Sequence, residues 1–229
     1  MTVPLSIIIP TLNEVQGIER TLELLQSLRH RDVEVIVVDG GSRDGTYAKI
    51  GNRADRILRA RQGRAHQMNS GAKAARGEVL LFLHADCSLP EDVDRVIAGE
   101  LRHTRRSWGR FDVTLSGDRR LLRVIEHFMN MRSRLTGIAT GDQGIFVRRE
   151  LFAASGGFPE IELMEDIAFS RRLKRFGDPL CLRERIVTSS RRWETGGVVR
   201  TMLLMWCLRL AYFLGAKPAV LARLYEQAR

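Results

Sequence analysis

Over its first hundred residues the chain alternates short apolar runs with segments of helical periodicity. Residues 5–10, 33–38 and 78–83, apolar but for Ser6, Glu34 and Glu78, read as buried strands, and 56–59 as a weaker one. Between them, residues 14–29, 44–50, 64–76 and 91–103 place apolar positions at helical spacing. Strands alternating with helices predict βαβ units around a mostly parallel sheet. Near-continuous apolar strands predict burial on both faces.

After about residue 105 the rhythm changes. Residues 108–115 alternate like a more exposed strand, 120–135 look helical, 143–148 form a short strand and 165–176 a helix. The expected architecture is α/β, Rossmann-like, with a mixed α/β C-terminal half. No repeat, low-complexity stretch or Pro/Ser-rich linker interrupts it. One domain of 229 residues is the simplest organisation.

Composition narrows the classes. The net charge is +10, but 33 of the 37 basic residues are arginines spread along the whole chain. No helix-turn-helix, zinc-finger or RRM signature accompanies them, so no nucleic acid is expected. An anionic substrate or a membrane surface fits the charge equally well. Cys87, Cys181 and Cys207 are far apart and form no metal or disulfide framework. No basic segment precedes an apolar stretch at the N-terminus, and the first apolar run is too short for a secretion signal. The expected location is cytoplasmic, with a peripheral place at the inner face of the membrane kept open.

That opening comes from residues 202–216, which are apolar except for Arg209. The run is shorter than the roughly 20 residues of a bilayer-spanning helix. It fits a buried helix, an oligomer contact, or a membrane-surface helix flanked by Arg200, Lys217 and Arg223.

Candidate chemistry clusters where strands end. Residues 80–86 read as a strand running into His84, Ala85 and Asp86. A carboxylate at the carboxyl end of a strand in an open α/β sheet sits where such sheets bind ligands. It suits a divalent cation on a diphosphate, or a helix cap. His84, two residues earlier, would share its side of a strand.

The first strand ends in Pro10-Thr11-Leu12-Asn13-Glu14, which lacks the glycine-rich turn of a dinucleotide site. The second ends in Asp39-Gly40-Gly41-Ser42-Arg43-Asp44-Gly45-Thr46. Its glycines permit close approach to a ligand, and Asp39 is placed to accept from a pyrimidine imide. Arg61 and Arg64 lie at a helix start, suited to phosphate or simply to solvent. The 141–144 stretch, Gly141-Asp142-Gln143-Gly144, is a binding loop or a turn. Glu165 and Asp166 open a helix, as a general base or as plain complements to the helix dipole.

Taken together, Pro-Thr-Leu-Asn-Glu (10–14), Asp-Gly-Gly-Ser-Arg-Asp-Gly-Thr (39–46), His-Ala-Asp (84–86) and Met-Glu-Asp (164–166) resemble the family 2 glycosyltransferases of GT-A fold. The resemblance covers about residues 4–195 and is nearest to small stand-alone bacterial members. It implies an inverting transferase that takes a nucleotide-diphosphate sugar, a UDP- or GDP-sugar, with Mg²⁺ or Mn²⁺. Residues 1–103 would form the donor half, 104–195 the acceptor and catalytic-base half, and 196–229 a helical tail.

Position by position, Pro10, Thr11, Asn13 and Glu14 would line the nucleoside pocket. Asp39 would hold the base beside Gly41, with Arg64 reaching toward base or phosphates and Ala85 bordering the donor. Asp86 would hold the metal; His84 stands where the family has its first aspartate and is a candidate second ligand. Asp166 would be the base, with Glu165 beside it. Asp142, Gln143, Arg192 and Trp193 are candidate acceptor contacts. Residues 189–193 keep the arginine and tryptophan of the processive Gln-x-x-Arg-Trp motif but not its glutamine, so processive synthesis is not expected. The acceptor itself is unnamed; a lipid-like one would suit 202–216. A catalytically silent nucleotide-sugar scaffold is the alternative.

Overall fold

In the computed structural model, which describes residues 4–227, the apolar runs become strands without a solvent face. β1 (Leu5–Thr11), β2 (Glu34–Asp39), β3 (Arg56–Arg59) and β4 (Val79–Phe82) pair in parallel. Successive side chains point to opposite faces. Ile7, Ile9, Val35, Val37 and Leu81 therefore enter one core, and Ile8, Ile36, Val38, Leu80 and Phe82 the other. Helices α1 (Ile18–Leu24), α2 (Gln26–Arg29), α3 (Thr46–Ile50), α4 (Arg64–Ala74) and α5 (Val93–His103) alternate with these strands. Gly71 lets α4 lie close on β1: a Cβ there would stand 2.4 Å from Ile8 Cγ2.

The second half extends the same sheet. β5 (Cys87–Ser88), β6 (Trp108–Leu115), β7 (Ile145–Arg148) and β8 (Leu180–Thr188) complete the order β3-β2-β1-β4-β7-β6-β8-β5. β7 is antiparallel to both β4 and β6, whereas β8 runs parallel to β6. Helices α6 (Arg120–Thr136), α7 (Arg149–Ala154), α8 (Glu165–Leu173), α9 (Arg191–Thr195), α10 (Val198–Phe213) and α11 (Pro218–Gln227) belong to this half. The strand order reverses around β1 and β4, so loops at their carboxyl ends face one crevice.

Several expectations need correction. The strand over 108–115 is buried at Trp108, Gly109, Arg110 and Phe111, because β6 lies inside the sheet between β7 and β8. Arg110 is wholly buried and pairs with Asp112 beside a bulge. β8 escapes the sequence pattern because Arg183-Glu184-Arg185 interrupts its apolar positions. β4 ends at Phe82, so Asp86 lies beyond the strand in a turn closed by Cys87 N–H on His84 O at 3.1 Å. Residues 202–216 do not form a buried helix: Leu203, Trp206, Leu210 and Phe213 of α10 are exposed. Among the described residues no helix is long and apolar enough to cross a membrane.

An aromatic cluster stiffens the crevice from below. Phe82 meets Phe158 edge-on with ring centroids 4.8 Å apart, and Phe158 lies 4.1 Å from Phe169 of α8. Asn69 of α4 holds the Phe158 backbone from both sides, donating to its carbonyl and accepting from its N–H at 2.9 Å. This joins the end of β4 to the start of α8. Phe158→Ala should lower stability by about 3–5 kcal/mol, measured by urea denaturation.

Candidate active site

The loops after β1 and β2 are bound to each other. Asn13 adopts a left-handed backbone (φ 54°), donates its N–H to Ser42 Oγ at 2.9 Å and accepts from Arg43 N–H at 3.0 Å. The Glu14 N–H reaches Thr46 Oγ1 at 2.8 Å. Asp39 is buried, and its carboxylate accepts from the N–H groups of Gly41 and Ser42 at 3.0 and 3.1 Å. Gly41 can adopt that turn because its φ of 94° costs glycine little. Pro10 and Thr11 are buried at the end of β1. Gln67 fastens the two strands by donating to Thr11 O and Val38 O at 2.7 and 2.8 Å.

The turn after β4 supplies a different set of atoms. Ala85 is buried, and its carbonyl accepts from Thr21 Oγ1 at 2.7 Å. Ligand atoms of His84, Asp86 and Cys87 all lie within 4.8 Å of one another. Burial first, and the Asp86 charge second, push the Cys87 thiol well above its ordinary range. Sulfur is a soft ligand that suits a hard divalent cation poorly, which leaves His84 and Asp86 as the candidate pair.

Across the crevice, α8 begins at Met164, whose φ is 69°. Glu165 is buried and lies 3.9 Å from Arg64, whose side chain is 46% exposed. At that distance and exposure the ion pair is screened. Burial, then the neighbouring Asp166, push the Glu165 carboxyl up to about 7, with Arg64 opposing them only in part. Asp166 accepts from Gly141 N–H at 2.9 Å and from Ile167 N–H at 2.7 Å, which fixes its orientation.

Gly141 joins the two sides. Its N–H holds Asp166, while a Cβ on it would stand 2.3 Å from His84 Nε2. His84, Gly141, Glu165 and Asp166 line one cavity with Met68, Phe82, Ile145 and Phe158. Chemically, this places the His84 imidazole and two carboxyls, one of which (Glu165) titrates near neutral pH, around a common space.

The residues expected at an acceptor site are less uniform. Asp142 accepts from Thr140 Oγ1 at 2.5 Å in the 3₁₀ turn Gly141–Gln143. Gln143 is wholly buried and completes the capping box of that turn. Trp193 is half-buried against the cluster of Val113, Leu122 and Val198. Arg192 lies in α9, and its side chain is outside the described residues.

Three residues had no clear signal in the sequence. Arg191 pairs with Glu14 at 3.3 Å, tying α9 to the first loop across the fold. Arg132 of α6 and Arg209 of α10 have buried guanidinium nitrogens with no acceptor among the described residues: Nε and Nη2 of Arg132, and Nε of Arg209. Burial, then the Arg209 charge, push Arg132 down to about 10, while Asp142 and Asp166 pull the other way. Helical periodicity alone marks Arg132 as one more polar helix position.

The Glu165 shift makes a testable statement about stability. In the unfolded chain this carboxyl loses its proton near 4.5, and in the folded chain near 7. Between those values the folded state holds more protons, so raising the pH favours unfolding. Wild type should lose up to about 3 kcal/mol relative to Glu165→Gln between pH 5 and 8, with the slope flattening above the folded pKa. Paired urea denaturations across that range check it. Parallel curves for the two proteins would remove the shift.

Comparison with known proteins identifies the family and the fold. The model of Glycosyl transferase family 2 matches residues 6–155. A PGL/p-HBAD biosynthesis glycosyltransferase of Mycobacterium bovis is 34% identical over 225 residues, covering 86% of this chain and 80% of its own. An uncharacterized glycosyltransferase of Nostoc sp. shares a shorter stretch, 89 residues at 33% identity, which is 36% of this chain and 28% of that protein. Among solved structures, a mannosyltransferase of Pyrobaculum calidifontis in complex with GDP-Man and Mn²⁺ superposes with a TM-score of 0.63 at 23% identity. It covers 82% of this chain and 57% of that one. S. aureus TarS in complex with UDP-GlcNAc gives 0.63 at 20% identity, covering 81% and 58%. The chain thus spans less than two thirds of these two solved structures and of the Nostoc relative, and their common ground with it is the GT-A fold. With the family model over most of the chain and a relative matched over most of both lengths, the chain belongs to glycosyltransferase family 2, the inverting GT-A class.

Proposed function

We propose that the protein transfers a sugar from a nucleotide-diphosphate sugar, a UDP- or GDP-sugar, to an acceptor hydroxyl with inversion. The observation that carries this reading is the meeting of His84, Gly141, Glu165 and Asp166 around one cavity beyond the ends of β1 and β4. It is supported by two structural neighbours, one solved in complex with GDP-Man and the other with UDP-GlcNAc. In this reading residues 1–103 form the donor half and 104–195 the acceptor half.

The nucleoside lies against Pro10, Thr11, Asn13 and Glu14. The remaining acceptor capacity of Asp39 serves the base, and Gly41 lets the backbone approach closely. Arg64 stands at the start of α4, between the diphosphate and Glu165, and contributes positive charge there. His84 and Asp86 would hold Mg²⁺ or Mn²⁺; when bound, the cation neutralises charge developing on the leaving diphosphate. Ala85, between them, borders the sugar.

Asp166 takes the proton from the acceptor hydroxyl as that oxygen attacks the anomeric carbon. The bond to the diphosphate breaks on the opposite face, and one displacement inverts the centre. Gly141 keeps Asp166 aimed and leaves room for His84. Glu165, neutral over much of the range below pH 7, spares Asp166 a second negative neighbour. Asp142 and Trp193 frame the acceptor side, whereas Gln143 is buried as the cap of the Gly141–Gln143 turn and does not reach an acceptor.

Asp166→Asn should lower transfer by about 10²–10⁴-fold while donor binding changes little. Asp86→Ala should instead weaken binding of UDP or GDP in the presence of Mn²⁺. Calorimetric titration with Mn²⁺ or EDTA, beside a turnover assay, separates the two effects. Near wild-type turnover in Asp166→Asn would unseat the base. Metal-dependent nucleotide binding without turnover toward any sugar acceptor would favour a silent scaffold.

Gly141→Ala tests the join between the two sides. The added methyl must displace the His84 ring, so turnover should fall about 10²-fold with the fold intact. The His84 imidazole resonances should shift in the same variant. Unchanged resonances would mean that the ring does not rest on Gly141.

A further inference from the structure

Outside the crevice, α6 and α10 present two apolar stripes to solvent. On α6, Leu121, Val124, Phe128, Met131 and Leu135 are between 39% and 78% exposed. They recur every three or four residues and so share one side of the helix. Leu122, Ile125 and Met129, on the other side, are buried. On α10, Val199, Leu203, Trp206, Leu210 and Phe213 repeat the spacing at 50–61% exposure. The helices are neighbours, joined where Leu122, Ile125 and Met129 meet Val198 and Met202. Val220 and Leu224 of α11 add to the exposed set. Scattered exposed leucines are ordinary, but ten large apolar side chains in register on two adjoining helices mark an interaction face.

Charge selects the occupant. From residue 195 to 227 the one acid is Glu226, against Arg200, Arg209, Lys217 and Arg223. On α6 the single acid, Glu126, is buried and paired with Arg123 at 2.9 Å, Arg134 pairs with Asp112 at 2.7 Å, and Arg120 is exposed. A second copy of this chain would bring the same basic helices against each other, and like charges oppose such a contact. A surface of anionic headgroups over apolar tails answers both properties of the face. No described helix spans a bilayer, so the geometry is that of helices lying in the interface.

We infer that α6 and α10, extended by α11, dock the protein on a bilayer surface containing anionic lipid. The exposed apolar stripes enter the headgroup boundary, and the exposed Arg120, Arg200, Lys217 and Arg223 meet the phosphates. This inference goes beyond the sugar-transfer reading and does not rest on it.

The test uses the full chain and vesicles of phosphatidylcholine, alone or mixed with phosphatidylglycerol. Sedimentation should show binding to the mixed vesicles, little to the neutral ones, and loss of binding at high salt. Trp206 emission should move to shorter wavelength on binding, and that shift should vanish in Trp206→Phe while sedimentation persists. Leu203→Gln with Leu210→Gln should cut binding by about tenfold or more, at an unchanged melting temperature because both sites are exposed. Equal affinity for both vesicle types, or undiminished binding of the double variant, overturns the inference. So does a dimer, seen without lipid, that the same two substitutions dissociate; the face would then belong to a second copy.

Discussion

A strand covered on both faces can carry chemistry only where it ends. β1 places Ile7 and Ile9 in one core and Ile8 in the other, and its peptide groups are spent on the ladders to β2 and β4. Polar function is therefore confined to the loops that leave Thr11, Asp39 and Phe82. Register does the rest. Thr11 stands opposite Asp39, and Ile8 opposite Phe82, so the three loops emerge at one edge. A slip of one residue would exchange the two cores, which burial forbids. The position of the site is thus a consequence of hydrophobic burial, and few of its own polar contacts are needed to fix it.

The two adjacent acids of α8 show how position divides labour. Glu165 is turned into the protein, where burial and a like charge favour its neutral form. Asp166, one residue on, is half-buried and receives two backbone N–H groups. Because adjacent residues on a helix point about 100° apart, one cannot share the other's surroundings. The chain gains an oriented carboxyl and a buried, protonatable neighbour from a single Glu-Asp pair. The aromatic contact between Phe158 and Phe169 holds the helix that carries both.

Burial also decides how much of this is legible in the sequence. Strong patterning reveals β1, β2 and β4, whose burial is nearly uniform, and α5, whose buried Val93, Ile97 and Leu101 recur every four residues. It also locates the motifs at strand ends. It misplaces Asp86, whose motif reads on from β4 although the ladder stops at Phe82. It misses β8, where Arg183, Glu184 and Arg185 occupy exposed positions of a strand otherwise packed at Leu180, Leu182 and Ile186. It reads β6 as exposed because Arg110 and Asp112 look solvated; in the fold they neutralise each other inside the sheet. Gln143 looks like a loop residue and is a buried cap. β6 and β8 owe their place in the sheet to each other, and β6 also to β7, partners far away in sequence that local pattern does not contain.

The C-terminal helices extend that point to electrostatics. The apolar run over 202–216 does not distinguish a core helix from a surface one, since both are hydrophobic. Neighbouring α6 decides it: Leu122, Ile125 and Met129 cover only the inner side of the α10 start and leave Leu203, Trp206 and Leu210 outside. The same two helices carry Arg132 and Arg209, whose buried nitrogens lack acceptors among the described residues. Holding two desolvated cations near each other is costly unless negative charge lies close, and Asp142 and Asp166 provide some. The buried cations thus belong to the inner side of these helices and the apolar stripes to the outer side, a division that hydrophobic periodicity alone does not display.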